Sequence, residues 1–180
     1  YSKIDQLIVL PMQSIALAAT TFVGQNLGCN LVERAQHGSR TALWMALGTT
    51  GVVMLPVLIA APSLVAFFNN KPEVIEFGTL FLRYISPFYL VMCIYQVYAG
   101  ALRGAGNSRV PMILMLLSFV AFRQAYLYVV SRWMPGAILP IALSYPAGWL
   151  ACSVSTLIYY SRARLSKSRL VEDDPPAKTA

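Results

Sequence analysis

Apolar residues in this chain come in long blocks rather than in the three-to-four spacing of an amphipathic surface helix. Five blocks stand out, over residues 4–26, 41–68, 76–102, 110–133 and 137–160. Each has the roughly 20 residues needed to cross about 30 Å of hydrocarbon as an α-helix. The pattern predicts an all-α polytopic membrane protein with five transmembrane helices packed as one bundle over residues 1–160. Pro11, Pro56 and Pro62 fall inside blocks. They predict kinks rather than breaks, because neighbouring helices can satisfy the freed carbonyls. Between the third and fourth blocks the chain reads Gly100-Ala101-Leu102-Arg103-Gly104-Ala105-Gly106-Asn107-Ser108-Arg109-Val110-Pro111. Glycine permits left-handed backbone and Pro111 suits a first helical turn, so this stretch predicts a helix end, a tight basic turn and a restart.

Composition agrees with a lipid-bathed bundle. Of 180 residues, 57% are hydrophobic and only 12% charged, about half the charged share of ordinary soluble domains (~25%). The net charge of +7 is spread thinly over loops and tail, which fits membrane topology and excludes nucleic acid as a partner. Arg34, His37 and Arg40 follow the first block, Arg103 and Arg109 sit in the central turn, and Arg162, Arg164, Lys167 and Arg169 follow the last. The intervening connections carry Lys71 offset by Glu73 and Glu76, and Arg132 alone. By the lysine/arginine loop rule the first group faces the cytoplasm, so the carboxyl terminus is cytoplasmic. Residues 161–180 form a basic, then acidic and proline-containing tail, predicted to be disordered with its basic half near anionic lipid headgroups.

Little enzyme chemistry is on offer. Cys29, Cys93 and Cys152 are far apart, His37 is the single histidine, and no phosphate-binding glycine loop occurs. The expectation is no enzyme, no cofactor and no metal. An apolar run is already under way near Tyr1, and the expectation is a carboxyl-terminal portion of a longer polypeptide.

Two motifs carry a more specific signal. The first, at the end of the first block, is Phe22-Val23-Gly24-Gln25-Asn26-Leu27-Gly28-Cys29-Asn30-Leu31-Val32-Glu33-Arg34-Ala35. Here Gly28 can end a helix, and Glu33 and Arg34 open a solvated segment. The second is the central turn, with Arg103, Gly104, Gly106 and Pro111. Together, in this order and at this separation, they resemble the multidrug and toxic compound extrusion (MATE) family. Ser118-Phe119-Val120-Ala121-Phe122-Arg123-Gln124 and Tyr145-Pro146-Ala147-Gly148-Trp149 are similar to that family's final two helices.

The resemblance implies the last five of twelve helices, the carboxyl-terminal lobe of a fold in the multidrug/oligosaccharidyl-lipid/polysaccharide (MOP) flippase superfamily, with the amino-terminal lobe of the same polypeptide missing. It implies a secondary antiporter in the plasma (inner) membrane, expelling small, mostly cationic organic compounds in exchange for protons or sodium ions by alternating access. A lipid-linked precursor flippase of the same superfamily and a non-transporting membrane scaffold are the alternatives. Some sodium-coupled members of the family place an aspartate in the helix before the central turn. Here that region reads Val91-Met92-Cys93-Ile94-Tyr95, without an acid.

Ionisable groups inside a span are expensive and functional by default. Arg123 lies about 18 Å into the fourth block from Pro111 at 1.5 Å per residue, near mid-membrane. Its role is either packing between helices or lining a cavity. At 100° per residue Asp5, Gln6, Gln13 and Thr20 fall within roughly 100° of one another on the first helix. That stripe is either a polar seam or the wall of a water-filled passage. In the third block Tyr89, Cys93, Gln96 and Gly100 share a face, and Gln96 joins the cavity candidates. Gly24, Gln25, Asn26, Gly28, Glu33, Arg34, Arg103, Gly104, Gly106 and Pro111 are the candidate structural motif residues.

Overall fold

One helix is the most deeply buried, and helices from both ends of the chain pack against it. In the computed structural model, which describes residues 2–68, 71–133 and 143–163, this is α5 (Phe88–Gly104). Ten of its fourteen residues from Tyr89 to Leu102 are buried, tyrosines included, and the other four are half-buried. α1 (Ser2–Gly28) and α2 (Val32–Ile59) form an antiparallel hairpin packed on one flank of α5. α3 (Ala61–Phe68) pairs with α4 (Pro72–Ile85). α6 (Arg109–Leu116) continues through a wide π-helical turn, Leu117–Phe122, into α7 (Arg123–Trp133). α8 (Ser144–Arg162) closes the other flank of α5.

The packing follows from residue spacing. Ile8, Met12, Ala16, Ala19, Val23 and Leu27, three or four apart, give α1 one buried stripe. The opposite side is also apolar but exposed, with Leu7, Leu10 and Leu17 outward. Trp44, Ile59, Phe67 and Trp133 are likewise almost bare. Water would not tolerate such a surface, whereas lipid does. Three described helical segments are long and apolar enough to cross a membrane: Asp5–Gly28, Val32–Ile59 and Arg109–Trp133. A fourth crossing results if Val74–Ile85 and Phe88–Gly104 count as one.

The helices differ from the predicted blocks in three places. α2 begins at Val32, so Arg34, His37 and Arg40 lie on its first turns, and the connection from α1 is only residues 29–31. Charge marks where lipid ends, not where a helix ends. The 41–68 block is two helices, with Pro62 in the first turn of α3. The 76–102 block bends by 53° at residues 86–87. Pro87 has no N–H to give, so the Arg83 carbonyl loses its helical donor there, although the backbone of Ser86 and Pro87 stays right-handed. The Leu82 carbonyl accepts both the Ser86 N–H at 2.9 Å and the Ser86 hydroxyl at 2.6 Å, so the last turn of α4 closes normally before the bend. The last block overlaps α8, which is not among the segments apolar enough to cross by itself. Residues 137–142 of that block, and the tail from 164 onward, lie outside the described residues.

Candidate functional site

The two sequence motifs lie side by side at one end of a single helix crossing, at the C-termini of the parallel helices α1 and α5. α1 ends with Asn30 in the left-handed conformation (φ 59°). The Asn30 N–H donates to the Leu27 carbonyl at 3.0 Å and the Leu31 N–H to the Asn26 carbonyl at 2.8 Å. α5 ends the same way at Gly106 (φ 80°), with its N–H on the Arg103 carbonyl and the Asn107 N–H on the Leu102 carbonyl, both at 3.0 Å. Each is a paired C-terminal cap of Schellman type. Gly28 is the last helical residue of α1 as expected, while the left-handed position falls two residues later.

In the turns leading up to these caps the backbones of α1 and α5 come into direct contact. A Cβ on Gly100 would lie 2.5 Å from the Ala16 carbonyl oxygen and 3.1 Å from Thr20 Oγ1. One on Gly104 would run into the Thr20 carbonyl and lie 3.2 Å from the Gly24 nitrogen. Ala16, Thr20 and Gly24 on α1 thus meet Gly100 and Gly104 on α5, four-residue repeats of small side chains that let helices approach closely in lipid. Gly104 is therefore required by its neighbour's backbone rather than by its own φ.

Polar side chains decorate this crossing. At its far end the Tyr89 hydroxyl donates to Asp5 Oδ1, tying α5 to the first turns of α1. Midway, Thr50 Oγ1 and Cys93 Sγ are 3.2 Å apart, which joins α2 to α5. Thr20 donates to the Ala16 carbonyl at 3.0 Å within α1. On the other flank Ser153 Oγ donates to the Val91 carbonyl at 2.7 Å, and the Tyr98 and Tyr160 rings stack with centroids 4.4 Å apart.

The six cavity candidates do not share one environment. Asp5 is half-buried in the α1–α5 seam, and Thr20 is half-buried against Gly100. Gln6 and Gln13 are exposed, at the edge of the stripe that α1 buries. Gln96 is half-buried on α5. Arg123 stands apart, in the first turn of α7, with its guanidinium 3.8 Å above the Tyr145 ring of α8. Its Nε is buried without a hydrogen-bond partner among the described residues. The cation–π contact supplies part of what that charge lacks.

Of the motif residues, Asn26 is buried, with its Nδ2 on the Phe22 carbonyl at 2.7 Å, and Pro111 is buried. Gln25, Glu33, Arg34 and Arg103 are exposed. Asn107, in the motif but outside the candidate set, turns out to be a strut. It donates from Nδ2 to Tyr159 Oη at 2.9 Å and accepts from the Val110 N–H at 3.3 Å. Asparagine beside a left-handed glycine was the available signal.

These features define an all-helical membrane bundle built on close helix crossings, with polar groups set along its seams. Residues 1–129 match the MatE family, and the chain belongs to it. It is similar to the probable multidrug resistance protein YpnP of Bacillus subtilis, 25% identical over 170 residues that cover 93% of this chain and 37% of the relative. The NorM proteins of Thermotoga maritima and Chromobacterium violaceum, also named probable multidrug resistance proteins, are 25% and 29% identical over 176 residues, covering 94% of this chain and 38% and 37% of theirs. The chain thus spans little more than a third of the length of these relatives. No solved structure matches it significantly.

Proposed function

We propose that this chain is the carboxyl-terminal lobe of a multidrug exporter, a secondary antiporter that exchanges protons or sodium ions for small, mostly cationic organic compounds. In this reading the five blocks are the last five of twelve helices, the carboxyl terminus is cytoplasmic, and a second lobe of the same polypeptide completes the passage. Membership of the MatE family and the names of the relatives support it. The observation that carries it is the α1–α5 crossing, where both family motifs meet backbone to backbone. Alternating access requires lobes that move as units, and such a crossing makes α1, α2 and α5 one unit. Asp5, held by Tyr89 at the end of that unit, is the carboxylate placed to meet a cation. Thr20 and Gln96 are half-buried neutral polar groups on α1 and α5, with Gln6 and Gln13 exposed at the edge of the α1 stripe.

The test uses the full-length protein in inside-out vesicles. With an imposed proton or sodium gradient, a fluorescent cationic dye should be taken up, and adding dye should dissipate the gradient. Dye distribution indifferent to both gradients would favour a scaffold over a transporter.

A further inference from the structure

Away from the α1–α5 seam, α1 and α2 leave an open groove of about 480 Å³ between them. Its floor is Ile15, Ala18 and Ala19 of α1, and its far wall is Ala42 and Met45 of α2. Its mouth, near the turn joining the helices, is lined by Arg34 and His37, with the Phe22 ring lying against Gly38 beside them. The spacing explains the alignment. Residues 34, 37, 41 and 45 fall on one face of α2 at about 100° per residue, whereas Arg40 points about 105° from the centre of that face. From residue 34 to residue 45 the groove runs about 16 Å, close to one leaflet of a ~30 Å hydrocarbon core. Arg34 also borders a second hollow of about 330 Å³, at the start of α2, with Asn30, Leu31, Val32 and Glu33.

An apolar trough one leaflet long, with Arg34 at its mouth and a second hollow bordered by Asn30 and Glu33 beyond, matches the shape and charge of a phospholipid. We propose that the groove holds an anionic phospholipid. Its acyl chain lies along Ile15, Ala18, Ala42 and Met45, and its phosphate sits on Arg34 and His37. Glu33 in the outer hollow suits a headgroup with hydroxyl donors, such as glycerol. Arg34 repels a cationic compound, so the groove is not a second site for such a substrate. A basic pocket between helices at membrane depth is the setting in which anionic headgroups are recognised.

The test is native mass spectrometry of the full-length protein, delipidated in detergent and offered equimolar phosphatidylglycerol and phosphatidylcholine with identical acyl chains. Wild type should retain phosphatidylglycerol by about fivefold, the effect of one basic residue near a headgroup. Arg34→Gln should abolish the preference and Arg34→Lys should keep it. Arg40→Gln, which removes the same charge off the groove face, should leave it unchanged. Ala18→Phe should fill the trough and lower binding of both lipids. Free glycerol phosphate should not displace the lipid, and displacement would make this a phosphate site instead. Equal retention of the two lipids would refute the proposal. Loss of preference in Arg40→Gln would reduce it to general surface charge. Lipid binding unaffected by Arg34→Gln and Ala18→Phe would mean that another segment of the polypeptide fills the groove.

Discussion

Gly100→Ala tests the central structural claim with one methyl group. Gly100 lies inside α5 and is buried against α1. The added Cβ would sit 2.5 Å from the Ala16 carbonyl oxygen and 3.3 Å from its carbon. Carbon and carbonyl oxygen rest at about 3.3 Å or more, so the helices must part by roughly 0.8 Å at this point. The obstacle is backbone, so no side-chain rotation relieves it. That carbonyl also accepts the Thr20 hydroxyl, which any shift of α1 disturbs. Overpacking of this kind costs about 1–3 kcal/mol. Replacing glycine by alanine inside a helix returns up to ~1 kcal/mol through backbone entropy. With the full entropic gain, the net expectation is a loss of up to about 2 kcal/mol.

Gly48→Ala supplies the control. Gly48 also lies within a long helix, but a Cβ there has nothing within 4 Å. It should be neutral or stabilising, by up to ~1 kcal/mol. Thermal unfolding of the full-length protein in detergent, followed by tryptophan fluorescence, should put Gly100→Ala several degrees below wild type and Gly48→Ala at or above it. If the two variants melt together, backbone contact does not hold α1 to α5, and the reasoning from small residues fails.

Three further outcomes follow from named contacts. In intact cells a membrane-impermeant thiol reagent should label a cysteine placed at Lys71 but neither native Cys29 nor Ser108→Cys; labelling at position 108 would invert the orientation. Asp5→Asn, nearly isosteric and still able to accept the Tyr89 hydroxyl, should leave expression intact and lower export of monovalent cationic dyes severalfold; undiminished export would return Asp5 to a helix-pinning role. Asn107→Ala removes the bonds to Tyr159 and Val110 and should cost about 1–2 kcal/mol, seen as a lower melting point, with Asn107→Asp intermediate because it keeps the acceptor. A wild-type melting point for Asn107→Ala would show that the strut carries no load.

The helical class and the motif turns were legible because they depend on local chemistry. A block of apolar residues must satisfy its own amides in lipid, and glycine or asparagine after a helix announces a left-handed cap. Gly106 occupies such a position, as the basic turn between glycines suggested. The bend at residues 86–87 was harder to see. The block is apolar on both sides of Ser86-Pro87, and averaged hydropathy measures affinity for lipid, not the loss of one amide donor. For the same reason the block from residue 41 does not mark the start of α2, which begins at Val32. Arg34, His37 and Arg40 are polar, yet nothing in their chemistry prevents a helix.

The candidate site was less legible, because one helix face can meet several environments. Asp5, Gln6, Gln13 and Thr20 are neighbours in angle, but the stripe that α1 buries runs through Ile8, Met12, Ala19 and Val23. Asp5 projects along its centre and the glutamines along its edge. Only the position of α5 decides which of them is covered, and that position is set by Gly100 and Gly104, some eighty residues away. The glycines that look like turn residues in the sequence therefore also determine how deep the carboxylate sits. Side chains large enough to part α1 from α5 would draw the Tyr89 hydroxyl away from Asp5 as well. A transport defect from Gly104→Val accordingly has two possible origins. The Asp5→Asn variant separates them, because it alters the charge and leaves the crossing in place.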